Sequence, residues 1–262
     1  MEKKILYLLT CVGLCWSSCT NEVDEFIGNV EPSTRSVSTA LNANLASLFT
    51  GGAPTLTSAE IKEVNDAYAK MTSINCYRNI DEAVRNKTSY AGTIFLDDTY
   101  ASAYFRKGSL AFPPYGSLAS SMEHEFIHMY QRDVQGKKVD TDKEKRDTGM
   151  MEFELAFYQG IIRYIHAGYS WTFKGEDGDP SYQSLWTSGL TDPSLIPQYE
   201  REFQTYVASI CANGKPTSID INEFVKWSNI FGEYSRGYSG KGYKFGNYDY
   251  GTSCINSLLK LY

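Results

Sequence analysis

Histidine is scarce: the chain has three in 262 residues. Any chemistry that needs paired imidazoles therefore has few places to occur. Basic residues are also in deficit, 25 Lys and Arg against 31 Asp and Glu, a net charge of −6. Phosphate binding needs a basic surface, so nucleic acid is excluded as a partner. No Cys-x-x-Cys spacing occurs, which removes thiolate zinc sites and that type of redox motif. No apolar run reaches the roughly 20 residues that a bilayer-spanning helix needs, and no internal repeat is evident. What the chain does have is 42% hydrophobic and 21% charged residues, enough for one large packed core. Aromatics make up 14%, with 20 tyrosines. Tyrosine can serve recognition, but most of these are expected to fill the core.

The start of the chain reads as a leader. Lys3 and Lys4 precede a short apolar stretch, Ile5 to Trp16, and then Ser17-Ser18-Cys19. Small residues ahead of a cysteine resemble a bacterial lipobox, in which that cysteine is acylated and becomes the new N-terminus. Plain cleavage of a secretory signal is the alternative. Glu22, Asp24 and Glu25 follow, an acidic stretch similar to the surface-export signal of some outer-membrane lipoproteins. The expected organisation is a signal peptide over 1–18, a lipidated tether over 19–56 that ends in a short helix around Leu41–Leu48, and a folded domain over 57–262. With Cys11 and Cys15 in the leader and Cys19 acylated, Cys76, Cys211 and Cys254 remain. A Cys211–Cys254 disulfide and one buried thiol are expected.

Within the domain, Thr57-Ser58-Ala59-Glu60 has capping-box spacing ahead of Ile61, Val64, Tyr68 and Met71, which recur at helical intervals. Thr93–Leu96, Ala101–Arg106 and Ser109–Phe112 read as short strands, the last stopped by Pro113-Pro114. Residues 116–134 read as a helix, 135–147 as a charged loop, and Met150–His166 as a second helix. Helices are also expected at Ser194–Ala212, Ile219–Tyr234 and Ser253–Leu261, with an irregular Gly- and Tyr-rich segment over 234–250.

Two of the three histidines stand four apart, in His124-Glu125-Phe126-Ile127-His128. On a helix, residues four apart lie on one face, so both imidazoles can reach one ion. Glu125 projects beside them, where it can take a proton from an attacking water. A third protein ligand is needed, with a fourth position left open. A metzincin would place a histidine six residues past His128, and Val134 stands there. The next helix instead supplies Glu152 and Glu154. Two residues on a helix are about 200° apart, so the two carboxylates cannot share a face. Glu154 has Met150, Met151, Phe157, Tyr158, Ile161 and Ile165 around it. A carboxylate on so apolar a face needs compensation, which a metal ion would give, so Glu154 is expected as the third ligand. Glu152 is then a surface residue paired with Arg163, or a group that orients a ligand imidazole.

With His124, Glu125, His128 and Glu154 identified, the chain resembles the gluzincin metallopeptidases. It is most similar to compact bacterial zincin-like proteins in which His-Glu-x-x-His is followed by Glu-x-Glu on the next helix. The resemblance covers residues 93–166. It implies an α+β, zincin-like fold: a small mixed sheet with an edge strand beside the active-site helix, then a mostly helical C-terminal part. It implies Zn2+ on His124, His128 and Glu154, Glu125 as general base, and a peptide or protein substrate. Tyr158 stands where thermolysin-like enzymes have an orienting Asp. A further donor to the oxyanion would come from His166, Tyr158, Tyr234 or Tyr238, none of which the sequence singles out. The whole is expected to be a monomer that meets the membrane only through a lipid anchor at Cys19, at the outer membrane, facing the periplasm or the cell surface. The alternative is a surface lipoprotein that binds glycan or peptide and carries a non-catalytic zinc site.

Overall fold

Residues 40–99, 103–113, 118–137, 145–166, 191–235 and 238–262 are described by the computed structural model. The leader, Cys19 and the acidic stretch lie outside them.

Packing begins earlier than residue 57. A short helix, α1 (Ala43–Leu48), is capped by Asn42, whose side chain accepts from the Asn44 N–H. Leu45, Leu48 and Phe49 are buried in the core. The chain then runs beside Tyr90, with Tyr90 N–H donating to the Leu48 carbonyl at 2.7 Å and Thr50 N–H to the Tyr90 carbonyl at 2.8 Å. Leu45, Leu48 and Phe49, within the stretch expected as tether, are thus part of the packed core. Three large apolar groups in a polar stretch are enough to seat that stretch.

Helix α2 (Ser58–Ser73) opens with the capping box that the spacing predicts: Thr57 accepts from the Glu60 N–H and Glu60 from the Thr57 N–H. Helix α3 (Asn75–Lys87) falls where no element is expected from the sequence. Its apolar stripe is narrow, with Cys76, Tyr77, Ile80 and Val84 buried among eight charged or amide residues.

Three short strands follow: β1 (Ile94–Leu96), β2 (Tyr104–Arg106) and β3 (Ser109–Phe112). Their order is β1-β3-β2, with β1 parallel and β2 antiparallel to β3. Lys107 and Gly108 join β2 to β3 with φ of 51° and 78°. Positive φ at both central residues is the hairpin turn that matches strand twist, and glycine takes it without strain. β2 is an edge strand.

Helix α4 (Leu118–Met129) carries the motif and runs directly into a π-helical turn, Tyr130–Val134. Helix α5 (Lys145–His166) starts a turn earlier than the expected Met150. After it come α6 (Ile196–Ile210), a two-stranded ribbon of β4 (Cys211–Ala212) and β5 (Lys215–Pro216), α7 (Ile221–Tyr234) and α8 (Ser253–Leu259). Helices α5, α6 and α7 meet in an aromatic core of Phe153, Phe157, Phe203, Phe224, Trp227 and Phe231. The chain is thus α+β, mostly helical, with a small mixed sheet.

The tyrosines largely fill this interior. Tyr68, Tyr77, Tyr90, Tyr130, Tyr158, Tyr164 and Tyr250 are buried, and Tyr248 is the one large apolar side chain fully exposed among the described residues. The expected Cys211–Cys254 disulfide is absent: Cys76, Cys211 and Cys254 are all thiols. Cys254 lies instead beside Glu154, and Cys76 beside Tyr158. No helix of the described residues is long and apolar enough to cross a membrane.

Candidate metal centre

One turn of α4 brings the two imidazoles together. His124 Nε2 and His128 Nε2 are 3.2 Å apart, with the rings nearly perpendicular at 81°. The third group comes from α5, and it is Glu152. Its Oε1 is 3.3 Å from His128 Nε2, and its Oε2 is 3.7 Å from His124 Nε2. Among the described residues this is the only cluster of three or more His, Cys, Asp or Glu side chains close enough to share an ion. Two ligands each about 2.1 Å from an ion and set at the tetrahedral angle are about 3.4 Å apart. The separations of 3.2, 3.3 and 3.7 Å lie near that value, the last two from different oxygens of Glu152, so the three groups are close enough to hold one metal ion. The side chains keep 31%, 18% and 20% of their surface, which leaves one side open to a fourth ligand.

Without an ion, the charges lean on one another. Burial alone would lower the pKa of His128, but the charge of Glu152 and its hydrogen bond outweigh it and push His128 up. Burial alone would raise Glu152, but the charge and hydrogen bond of His128 pull it well below the usual carboxylate range. His124 is held low, at about 4, by burial and then by the charge of His128. A cation in this position would replace the positive charge that His128 supplies.

Glu125 is 4% exposed. Burial raises its carboxyl to about 7, and the charges of His128 and Glu152 both act on it. The Phe105 backbone N–H of β2 donates to it, so the outer edge of β2 faces the motif. The strand is pinned there by its own side chain: the Phe105 ring packs on Tyr90 at 4.8 Å, and the Arg132 guanidinium lies 4.3 Å over it.

Glu154 does not join the imidazoles, contrary to the expectation. It is fully buried, as its apolar surroundings imply, but its compensation comes from hydrogen bonds. Gln131 Nε2 donates to its Oε2 at 2.8 Å and the Tyr250 hydroxyl to the same oxygen at 2.9 Å. Burial raises its carboxyl above the usual range, and the Cys254 thiol, Gln131, Lys137 and Tyr250 oppose that rise. Glu152 and Glu154 have therefore exchanged the parts expected of them. Gln131 also receives His128 Nδ1 at 2.8 Å. Its position three residues past His128 on one helix is the signal that could have marked it.

Of the other candidate donors, Tyr238 alone is placed at the cluster, its hydroxyl donating to Glu152 Oε2 at 2.7 Å. Tyr158 is buried against Tyr77, and Tyr234 packs on Tyr199. The side chain of His166 lies outside the described residues.

Tyr238 and Tyr250 belong to the Gly- and Tyr-rich segment, which is held close on α5 and α7. A Cβ on Gly149 would meet the Lys244 carbonyl oxygen at 2.9 Å, and one on Gly232 would meet Phe245 Cδ2 at 2.3 Å and Cγ at 2.6 Å. Phe245 in turn packs on Phe231 and Tyr238. Gly232→Ala is therefore expected to destabilise the protein by about 1–3 kcal/mol through overpacking. That outweighs the gain of about 1 kcal/mol in helix propensity. The midpoint of a urea melt reads the effect; an unchanged or higher midpoint would show that Phe245 has room to move.

The chain matches no protein-family model, no characterised protein and no solved structure.

Proposed function

We propose that this chain is a zinc-dependent peptidase of the zincin kind, with His124, His128 and Glu152 as ligands and Glu125 as general base. The observation that carries this is the convergence of two imidazoles and a carboxylate, close enough to hold one ion, with a buried glutamate next to the first imidazole. Two imidazoles, one carboxylate and an open fourth position form a ligand set suited to catalytic zinc. Zinc, when bound, would supply Lewis acidity, polarising a carbonyl and lowering the pKa of water toward about 7. Glu125 would take the proton of the attacking water and deliver it to the leaving amine. Its burial and its bond to the Phe105 N–H hold it in one place for both transfers. With the Phe105 N–H given to Glu125, the Phe105 carbonyl is the backbone group left on the outer edge of β2 to accept from an extended peptide. Tyr238 leaves Glu152 Oε1 to face His128 by donating to Oε2. The leader sequence adds a location to this reading: a lipid anchor at Cys19 would hold the domain at the outer membrane, facing the periplasm or the cell surface.

The test is a broad peptide mixture incubated with zinc-loaded protein, with chelator-treated protein and with chelated protein given zinc again. Cleavage at defined bonds that disappears with the chelator and returns with zinc is expected. One bound equivalent of zinc with no cleavage in any arm would overturn the peptidase reading and leave a metal-binding lipoprotein.

A further inference from the structure

A polar chain connects Tyr250, from the Gly- and Tyr-rich segment, to one ring of the cluster. Gln131 is fully buried. Its Nε2 lies 3.0 Å from the Met151 carbonyl oxygen and 2.8 Å from Glu154 Oε2. Its Oε1 lies 2.8 Å from His128 Nδ1. Glu154 is in turn held by the Tyr250 hydroxyl at 2.9 Å. The Lys137 ammonium donates to the Tyr250 carbonyl at 2.8 Å and sits 3.8 Å from the centre of its ring.

Hydrogen-bond bookkeeping leaves one arrangement of protons. A backbone carbonyl can only accept, so the end of the Gln131 amide that faces Met151 must be its NH2 group. Turning the amide over would set its oxygen against a carbonyl and a carboxylate oxygen in a site closed to water. The amide oxygen therefore faces His128, and it too can only accept. Nδ1 of His128 must then carry a proton. In the neutral ring, that leaves the lone pair on Nε2, the atom that faces His124 and Glu152.

We infer that Gln131 is a positioning residue: it holds His128 in the Nδ1–H tautomer with Nε2 presented to the cluster, and Met151, Glu154 and Tyr250 set its amide the right way round. This accounts for a carboxylate buried in an apolar core yet turned away from the imidazoles. Groups that orient a ligand imidazole in this way are worth about 10- to 100-fold in metal affinity when removed. The importance for zinc rests on the proposed function; the tautomer itself does not.

The test uses the metal-free protein at about pH 10, above the value of about 9 to which Glu152 pushes the His128 imidazole, and reads the ring 15N shifts of His128 by long-range 1H–15N correlation. The wild type is expected to show the proton on Nδ1. Gln131→Met keeps the shape and removes every polar atom, and is expected to give a mixture of tautomers. Chelator competition should show zinc held about 10- to 100-fold more weakly by that variant. A proton on Nε2 in the wild type would overturn the inference, and that spectrum decides even if the variant fails to fold. An unchanged tautomer with unchanged zinc affinity in a folded Gln131→Met would also overturn it. A wild type that binds no zinc would sink the peptidase reading, while the spectrum would still decide the tautomer.

Discussion

Glu152→Gln is expected to weaken zinc binding by a hundredfold or more, while Glu154→Gln leaves it within about tenfold. The two residues lie on one helix, two positions apart, and the two substitutions are chemically identical. What separates them is direction. The Glu152 carboxylate lies 3.3 and 3.7 Å from Nε2 of His128 and of His124, and it is the only anion in the cluster. Zinc sites release roughly 10–16 kcal/mol on binding. One of three protein ligands accounts for about a third of that, or 3–5 kcal/mol, and an amide retains little of it. Glu154 gives its Oε2 to Gln131 and Tyr250. A glutamine carbonyl can occupy that position and accept both bonds, so the relay to His128 survives. Chelator competition followed by metal analysis checks both variants. If Glu154→Gln loses zinc and Glu152→Gln keeps it, the ligand set is His124, His128 and Glu154 after all.

Glu125→Gln is expected to keep one equivalent of zinc and to lose about 10²- to 10⁴-fold in kcat/KM, the usual scale for removing a general base. The substitution is nearly isosteric. A glutamine oxygen can still accept from the Phe105 N–H, so β2 and α4 should stay in place, and the loss would then report proton transfer alone. Equal melting temperatures for the two zinc-loaded proteins are part of the expectation. Hydrolysis at the wild-type rate in this variant would remove Glu125 from the mechanism even if peptide cleavage itself is confirmed.

Much of the site was legible in the sequence because it is local. His124, Glu125 and His128 share one turn of α4, and helical spacing alone puts the two imidazoles on one face. The three strands, the capping box at Thr57 and the helices from α4 onward could be read for the same reason: each is set by residues within a few positions of one another. Where local signals were thin, the reading fell short. The stripe of α3 is diluted by its charges; α1 is expected as a helix, but its burial is not, because its apolar residues find their partners around Tyr90, some forty positions on.

The choice between Glu152 and Glu154 is of the second kind. The sequence determined that one of them is buried in an apolar setting and needs compensation, and Glu154 is indeed that residue. It could not say what compensates. The partners are Gln131 on the neighbouring helix and Tyr250 from a segment 96 residues away, and only the packing of that segment on α5 brings them in. A buried carboxylate is satisfied equally by an ion or by converging hydrogen-bond donors. Local sequence shows the need, and tertiary structure alone shows which of the two meets it.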